Sequence, residues 1–281
     1  MGLRPLEPVD VRPLFPGLHE ALMALLEGLK AGDWARPTLA GAWAVRDVAA
    51  HLLDGDLRRL SLQRDRHSLR PPDEPFAGEA DLVAFLNGLN ADWVKVAHRM
   101  SPRVLLDLLR TTGPQISALF ASLDPDGPAL LPVSWAGESS SKHWFDIGRE
   151  YTERWHHQQQ IRLAVDATPL DEPHWLKPVL DLSVRALPHR YAGVPAPEGS
   201  RVQVEIHGSS GGTWSLVREG AGWRLFAGTG DAPPVARVSL AEKTAWRIFF
   251  KARPDEIASQ IALEGRSDLG QAFLTAWAVM A

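Results

Sequence analysis

The chain contains no cysteine. That excludes disulfides, iron–sulfur clusters and every zinc site built on thiolates. Any metal must be held by His, Asp or Glu, and any thiol chemistry needs a thiol from outside. No apolar run approaches the roughly 20 residues of a membrane-spanning helix. No basic block is present either, and the net charge is −4 over 281 residues, which leaves nucleic acid no electrostatic footprint. The opening residues, with Pro5, Glu7, Pro8 and Asp10, lack the apolar region of a signal peptide. The expectation is a cytoplasmic protein with neither a nucleic-acid nor a membrane partner. Tyrosine is scarce, two against eleven tryptophans, and scattered Trp most often fills core.

What is present is ordinary for a globular chain: 45% apolar and 23% charged residues. The length allows one large or two ordinary domains. Apolar residues recur at helical spacing over residues 14–30, through Leu18, Leu22, Leu25, Leu26 and Leu29. A second helix is expected around Val45, Val48, Ala49, Leu52 and Leu53, with the acids and arginines of 54–66 mostly on the opposite side. Pro71, Pro72, Pro75 and Gly78 break the chain. A third helix is expected over about 79–100, with Leu82, Phe85, Leu86, Leu89, Trp93 and Val96 inward, and a fourth over 104–123, where Pro114 can kink or split it. Residues 124–141 read as a long loop of the kind that often serves as a lid or binding loop.

Residues 142–165, KHWFDIGREYTERWHHQQQIRLAV, carry one Gly and no Pro and read as a single long helix. Residues four apart share a helix face. Glu153 and His157 are such a pair, and Glu150, Gln160, Ile161 and Ala164 extend the stripe. A carboxylate and an imidazole so spaced can hold a divalent ion from one side, and His51 is the best candidate third ligand. Three protein donors with an open fourth position suit a catalytic centre. Alone, the pattern is weak: Glu followed by His at i+4 is usually a solvated pair, as Glu150 and Arg154 are read to be. His156 points about 100° away, toward another element or solvent, and His98 and His143 are equally available.

A helix over 173–191 and a linker over 192–200 follow. The period then changes to two: 201–207, 213–219, 222–228 and 235–240 read as strands, 241–252 as a helix, 261–265 as a further strand and 267–281 as a closing helix. The second part is therefore α+β, with helices on one face of a small sheet. Its other face is expected to be apolar, either a cleft for an apolar ligand or covered by the first domain.

Two stretches, WAVRDVAAHL at 43–52 and ERWHHQQQIR at 153–162, resemble the metal-ligand motifs of the mycothiol-dependent maleylpyruvate isomerase-like group in the DinB/YfiT superfamily. AWRIFF and IALEG resemble the smaller domain that follows the bundle in those proteins, which in turn looks like sterol-carrier-type folds. The resemblance implies an N-terminal DinB-like four-helix bundle over 1–195 and a small α+β domain over 196–281, an α+β fold as a whole. It implies metal ligands at His51, Glu153 and His157. Zinc is the first expectation for the ion, and nickel, iron or manganese suit the same donors. It implies a low-molecular-weight thiol such as mycothiol or bacillithiol as cofactor, used as nucleophile on an electrophilic substrate in isomerisation or S-transfer. One position departs: the family often carries Asp three residues after the ligand His, where this chain has Gln160, so the site transfers more readily than the particular isomerase reaction. A metal-dependent hydrolase on the same site and a non-catalytic metal- or lipid-binding protein stay open, as does a homodimer through exposed helix faces.

Overall fold

The computed structural model describes residues 2–67 and 77–279. Pro71, Pro72 and Pro75, and the last two residues of the expected closing helix, lie outside the described residues. The fold is α+β, helical in its N-terminal part and sheet-containing in its C-terminal part. The helices are α1 Phe15–Glu27, α2 Val45–Arg59, α3 Glu79–Ala97, α4 Pro102–Ser122, α5 His143–Ala164, α6 Pro173–Ser183, α7 Leu187–Arg190, α8 Glu242–Phe249, α9 Pro254–Ile257 and α10 Ser267–Ala272. The strands are β1 Arg201–His207, β2 Gly212–Glu219, β3 Gly222–Ala227, β4 Ala236–Ala241 and β5 Ile261–Gly265. No helix among the described residues is long and apolar enough to cross a membrane.

The chain packs as two compact units. One comprises Val11–Leu130 with Glu153–Leu170; the other takes the residues up to Asp10, then Leu131–Thr152 and the chain from Asp171 on. In the first, Leu22 and Leu26 of α1, Val48 and Leu52 of α2, Leu105 and Leu109 of α4 and Ile161 of α5 form one core. Helix starts are chemically marked. Asp47 accepts from the Ala44 N–H at 3.0 Å, the acidic half of a capping box. Ser101 Oγ accepts from the Val104 N–H at 3.3 Å ahead of Pro102, the favoured order for a cap followed by Pro. Pro114 lies inside α4 without splitting it.

α3 turns most of the expected stripe inward: Leu82, Phe85, Leu86, Leu89 and Trp93 are half-buried, and Val96 is the exception. Its buried positions are Asn90, Val94 and Ala97, while Val96 is 50% exposed. Trp93 Nε1 donates to the Ala50 carbonyl at 2.7 Å, a polar anchor that helps fix how α3 is rotated on α2.

In the second unit the strand order is β3-β2-β1-β4-β5, antiparallel except for the parallel β1–β4 pair. Paired residues share a face. Val204, Trp214, Val238 and Leu263 are therefore on one face, and Leu263 packs against Gly270 of α10. The other face is largely polar, against the expected apolar cleft: it carries Gln203, Ser215, Arg237 and Glu264 in one row and Glu205, Thr213 and Ser239 in the next, with Val217 and Phe226 as apolar residues on its β2–β3 side. Arg201 Nη1 donates to Gln203 Oε1 at 2.8 Å and to Ser215 Oγ at 3.1 Å. The strands alternate as read, but both residue sets were available for burial, and the helices took the apolar one. The expected helix over 173–191 is interrupted: Val184–Ala186 form a 3-10 turn between α6 and α7.

Candidate metal centre

His51, Glu153 and His157 converge. One donor atom from each lies within 4.8 Å of the others, and His157 Nε2 stands 3.4 Å from Glu153 Oε2. The rings of His51 and His157 meet edge to face with centroids 4.7 Å apart, and the Trp43 ring lies tilted against His51 at 5.1 Å. Two bonds of about 2.1 Å at a tetrahedral angle put donor atoms roughly 3.4 Å apart. The Glu153–His157 edge already has that spacing, and no pair in the trio is wider than 4.8 Å. The donor set, two imidazoles and one carboxylate, suits a borderline cation such as Zn²⁺. His98 and His143 stand outside the cluster; His98 Nε2 pairs with Asp47 at 2.7 Å instead.

The residues after His157 hold it in place. His157 Nδ1 lies 2.8 Å from Gln160 Oε1. An amide oxygen only accepts, so the imidazole donates from Nδ1. The other end of the same amide donates to His156 Nε2 at 2.9 Å. His156 therefore does not face solvent: it is buried, with its ring 5.0 Å from that of His157. Burial pushes its imidazole well below the usual range, and His157 and His51 push the same way. Gln158 Nε2 donates to the Leu18 carbonyl of α1 at 3.0 Å, and Gln159 Oε1 accepts the Leu170 N–H at 2.9 Å. Trp155 Nε1 reaches the Leu170 carbonyl at 2.9 Å. Each of the three glutamines thus has partners of its own.

On the preceding turn of α5, Arg154 is not solvated: its side chain is 16% exposed. Its Nη1 donates to Asp56 Oδ1 at 2.5 Å, and Glu150 lies 3.7 Å from Arg149. Asp56 is 1% exposed and also accepts Thr112 Oγ1 at 2.5 Å. Asp54 and Arg59 are buried as well, so the polar residues of α2 do not all face outward. Asp54 is 3.0 Å from Arg58, yet burial still raises its carboxyl above the ordinary range. His19 lines a hollow with Arg154, Gln158 and Gly113, and burial lowers its imidazole despite Asp56 nearby. Sequence reading missed this cluster because a charged residue on a helix is taken as solvated until its partner on another helix is known.

No curated protein sequence matches the chain. The fold matches the crystal structure of the mycothiol-dependent maleylpyruvate isomerase with a TM-score of 0.55 at 11% identity, covering 90% of this chain and 91% of that one. A mutant of the same isomerase matches with a TM-score of 0.54 at 10% identity and the same coverage. The family model described as the mycothiol maleylpyruvate isomerase N-terminal domain matches residues 15–162, which take in His51, Glu153 and His157. The chain belongs to the mycothiol maleylpyruvate isomerase N-terminal domain family.

Proposed function

We propose that this protein is a metal-dependent enzyme that uses a low-molecular-weight thiol, mycothiol or bacillithiol, as nucleophile in isomerisation or S-transfer. The observation that carries the reading is the convergence of His51, Glu153 and His157 to within 4.8 Å inside the segment matched by the family model. The three side chains would hold a divalent ion, zinc first, with two neutral imidazoles and one carboxylate leaving a net charge of +1. Such an ion lowers the pKa of a thiol or water at its open position. The thiolate would be the nucleophile: it would add to an activated double bond and leave after rotation, breaking the S–C bond it formed, or in S-transfer keep that bond while a proton completes the addition. The chain supplies no thiol of its own.

The protein's own contribution is positional. The Trp43 ring shields one side of His51. Glu153 keeps 34% of its side chain exposed while His157 is 10% exposed, so solvent and ligands approach from the carboxylate side. Arg154, fixed by Asp56, holds the backbone that presents Glu153.

The test is metal analysis of the purified protein, followed by calorimetric titration with mycothiol, bacillithiol and glutathione. A stoichiometric divalent ion is expected, lost in His51→Ala. Saturable binding of one thiol is expected, lost in Glu153→Ala. Absence of a divalent ion, or one retained undiminished in His51→Ala, overturns the reading. Metal without thiol binding but with ester or amide turnover would make the centre hydrolytic.

A further inference from the structure

Gln160 stands where the family resemblance leads one to expect a carboxylate, and its amide joins two buried imidazoles. Gln160 is 5% exposed, and His156 and His157 are 8% exposed each. Oε1 faces His157 Nδ1 at 2.8 Å, and Nε2 faces His156 Nε2 at 2.9 Å.

The amide has one accepting and one donating end, so its orientation dictates both rings at once. In the observed orientation His157 carries its proton on Nδ1, which leaves Nε2, 3.4 Å from Glu153 Oε2, as the ring atom available to a shared cation. His156 must offer its own lone pair at Nε2. Rotate the amide by half a turn and every assignment reverses: His157 would be protonated on Nε2, and the triad would lose a donor atom. A ligand imidazole usually has its other nitrogen fixed by a hydrogen-bond partner that sets tautomer and ring angle. A carboxylate at position 160 could accept from His157 but could not donate to His156. It would also bring a second negative charge to a site whose only anionic donor is Glu153.

We infer that Gln160 is a positioning residue: anchored on His156, its amide holds His157 in the Nδ1–H tautomer and so points the Nε2 lone pair into the triad formed with His51 and Glu153. The neutral amide keeps the site's charge at that of one carboxylate, and His156 is the part that makes an amide workable there. This inference rests on the metal reading for its purpose, while its first readout, the tautomer, does not need a metal.

The experiment uses the full chain labelled with ¹⁵N-histidine, stripped of metal, with imidazole tautomers read from two-bond nitrogen–proton correlations and assigned with His156→Leu and His157→Gln. The wild type is expected to show His157 protonated on Nδ1 and His156 neutral with its proton also on Nδ1. In Gln160→Leu the His157 tautomer preference should be lost. Zn²⁺ affinity, measured by competition with a chelator, should weaken by about 10–100-fold, the usual cost of removing such a partner. Gln160→Glu should keep the His157 tautomer, since the carboxylate still accepts, while the His156 signal changes. Circular dichroism melts identify variants that fail to fold, and in that event the wild-type tautomers alone decide. Nε2-protonated His157 in the wild type overturns the inference, as does a Gln160→Leu variant with unchanged tautomer and unchanged Zn²⁺ affinity. A wild type that shows the expected tautomers but binds no Zn²⁺ upholds the positioning and overturns the metal reading instead.

Discussion

The Asp56 carboxylate lies 2.5 Å from Arg154 Nη1 and 2.5 Å from Thr112 Oγ1, tying α2 to α5 and α4 one residue from Glu153. Asp56 is 1% exposed and Arg154 16%, so the carboxylate cannot fall back on water. Removing one member of such a pair leaves the other buried and uncompensated, at a cost of about 3–5 kcal/mol. Arg154→Met, which strands the Asp56 carboxylate, is expected to lose that much stability in urea melts, and Asp56→Leu less. Asp56→Leu combined with Arg154→Met is expected to lose clearly less than the sum of the two single changes. Purely additive losses would mean that the pair is not coupled.

Gly113 is required by His19. A Cβ at position 113 would lie 2.1 to 2.4 Å from three atoms of the His19 ring. In an exposed helix Gly→Ala gains about 1 kcal/mol of helix propensity. Here Gly113→Ala is expected to destabilise by roughly 1–3 kcal/mol through overpacking. In a His19→Ala background the same change is expected to stabilise. The reversal of sign, measured by thermal or urea melts, separates packing from propensity.

His19 also sets a pH dependence. Burial lowers its folded-state pKa below the ordinary histidine value of about 6.5, so between the two values the unfolded chain binds more protons, and stability rises with pH there. The contribution is fully present above about pH 6.5 and is lost as pH falls below it toward the folded-state value. Urea melts from pH 8 down to pH 5 are expected to show this fall. In His19→Gln the slope should flatten; an identical slope would assign it elsewhere.

Divalent ions should raise the melting temperature. An ion that binds only the folded chain stabilises it by about 2.7 kcal/mol at one hundred times its dissociation constant. Scans with Zn²⁺ and with a chelator are expected to differ in the wild type and to coincide in His51→Ala. Equal shifts in both proteins would place the ion at another site.

The triad was legible because spacing on one helix and a resemblance on another named three residues that do meet. Strand order was not legible, but strand positions were, since alternation at Val202, Val204 and Ile206 shows in one dimension. The environment of α5 was hidden. His156 and Gln160 look like the solvated run of any polar helix, and their meaning depends on what α1, α2 and the 165–170 return bring to them. Asp56 and Arg154 are 98 positions apart, and nothing local says that they pair. Gly148 reads as merely tolerable, yet a Cβ there would lie 2.6 Å from Leu182 Cδ2, so α5 and α6 approach as closely as they do because the side chain is missing.

One small feature of the C-terminal sheet bears on handling the protein. Arg4 and Ala227 exchange two backbone hydrogen bonds, 3.0 and 2.8 Å, at the end of β3, the outermost strand on that side. An open strand edge is a template for another chain. A version trimmed of its first ten residues would bare that end of the edge, and slow clumping through intermolecular strand pairing, more than outright unfolding, is the damage to expect in storage.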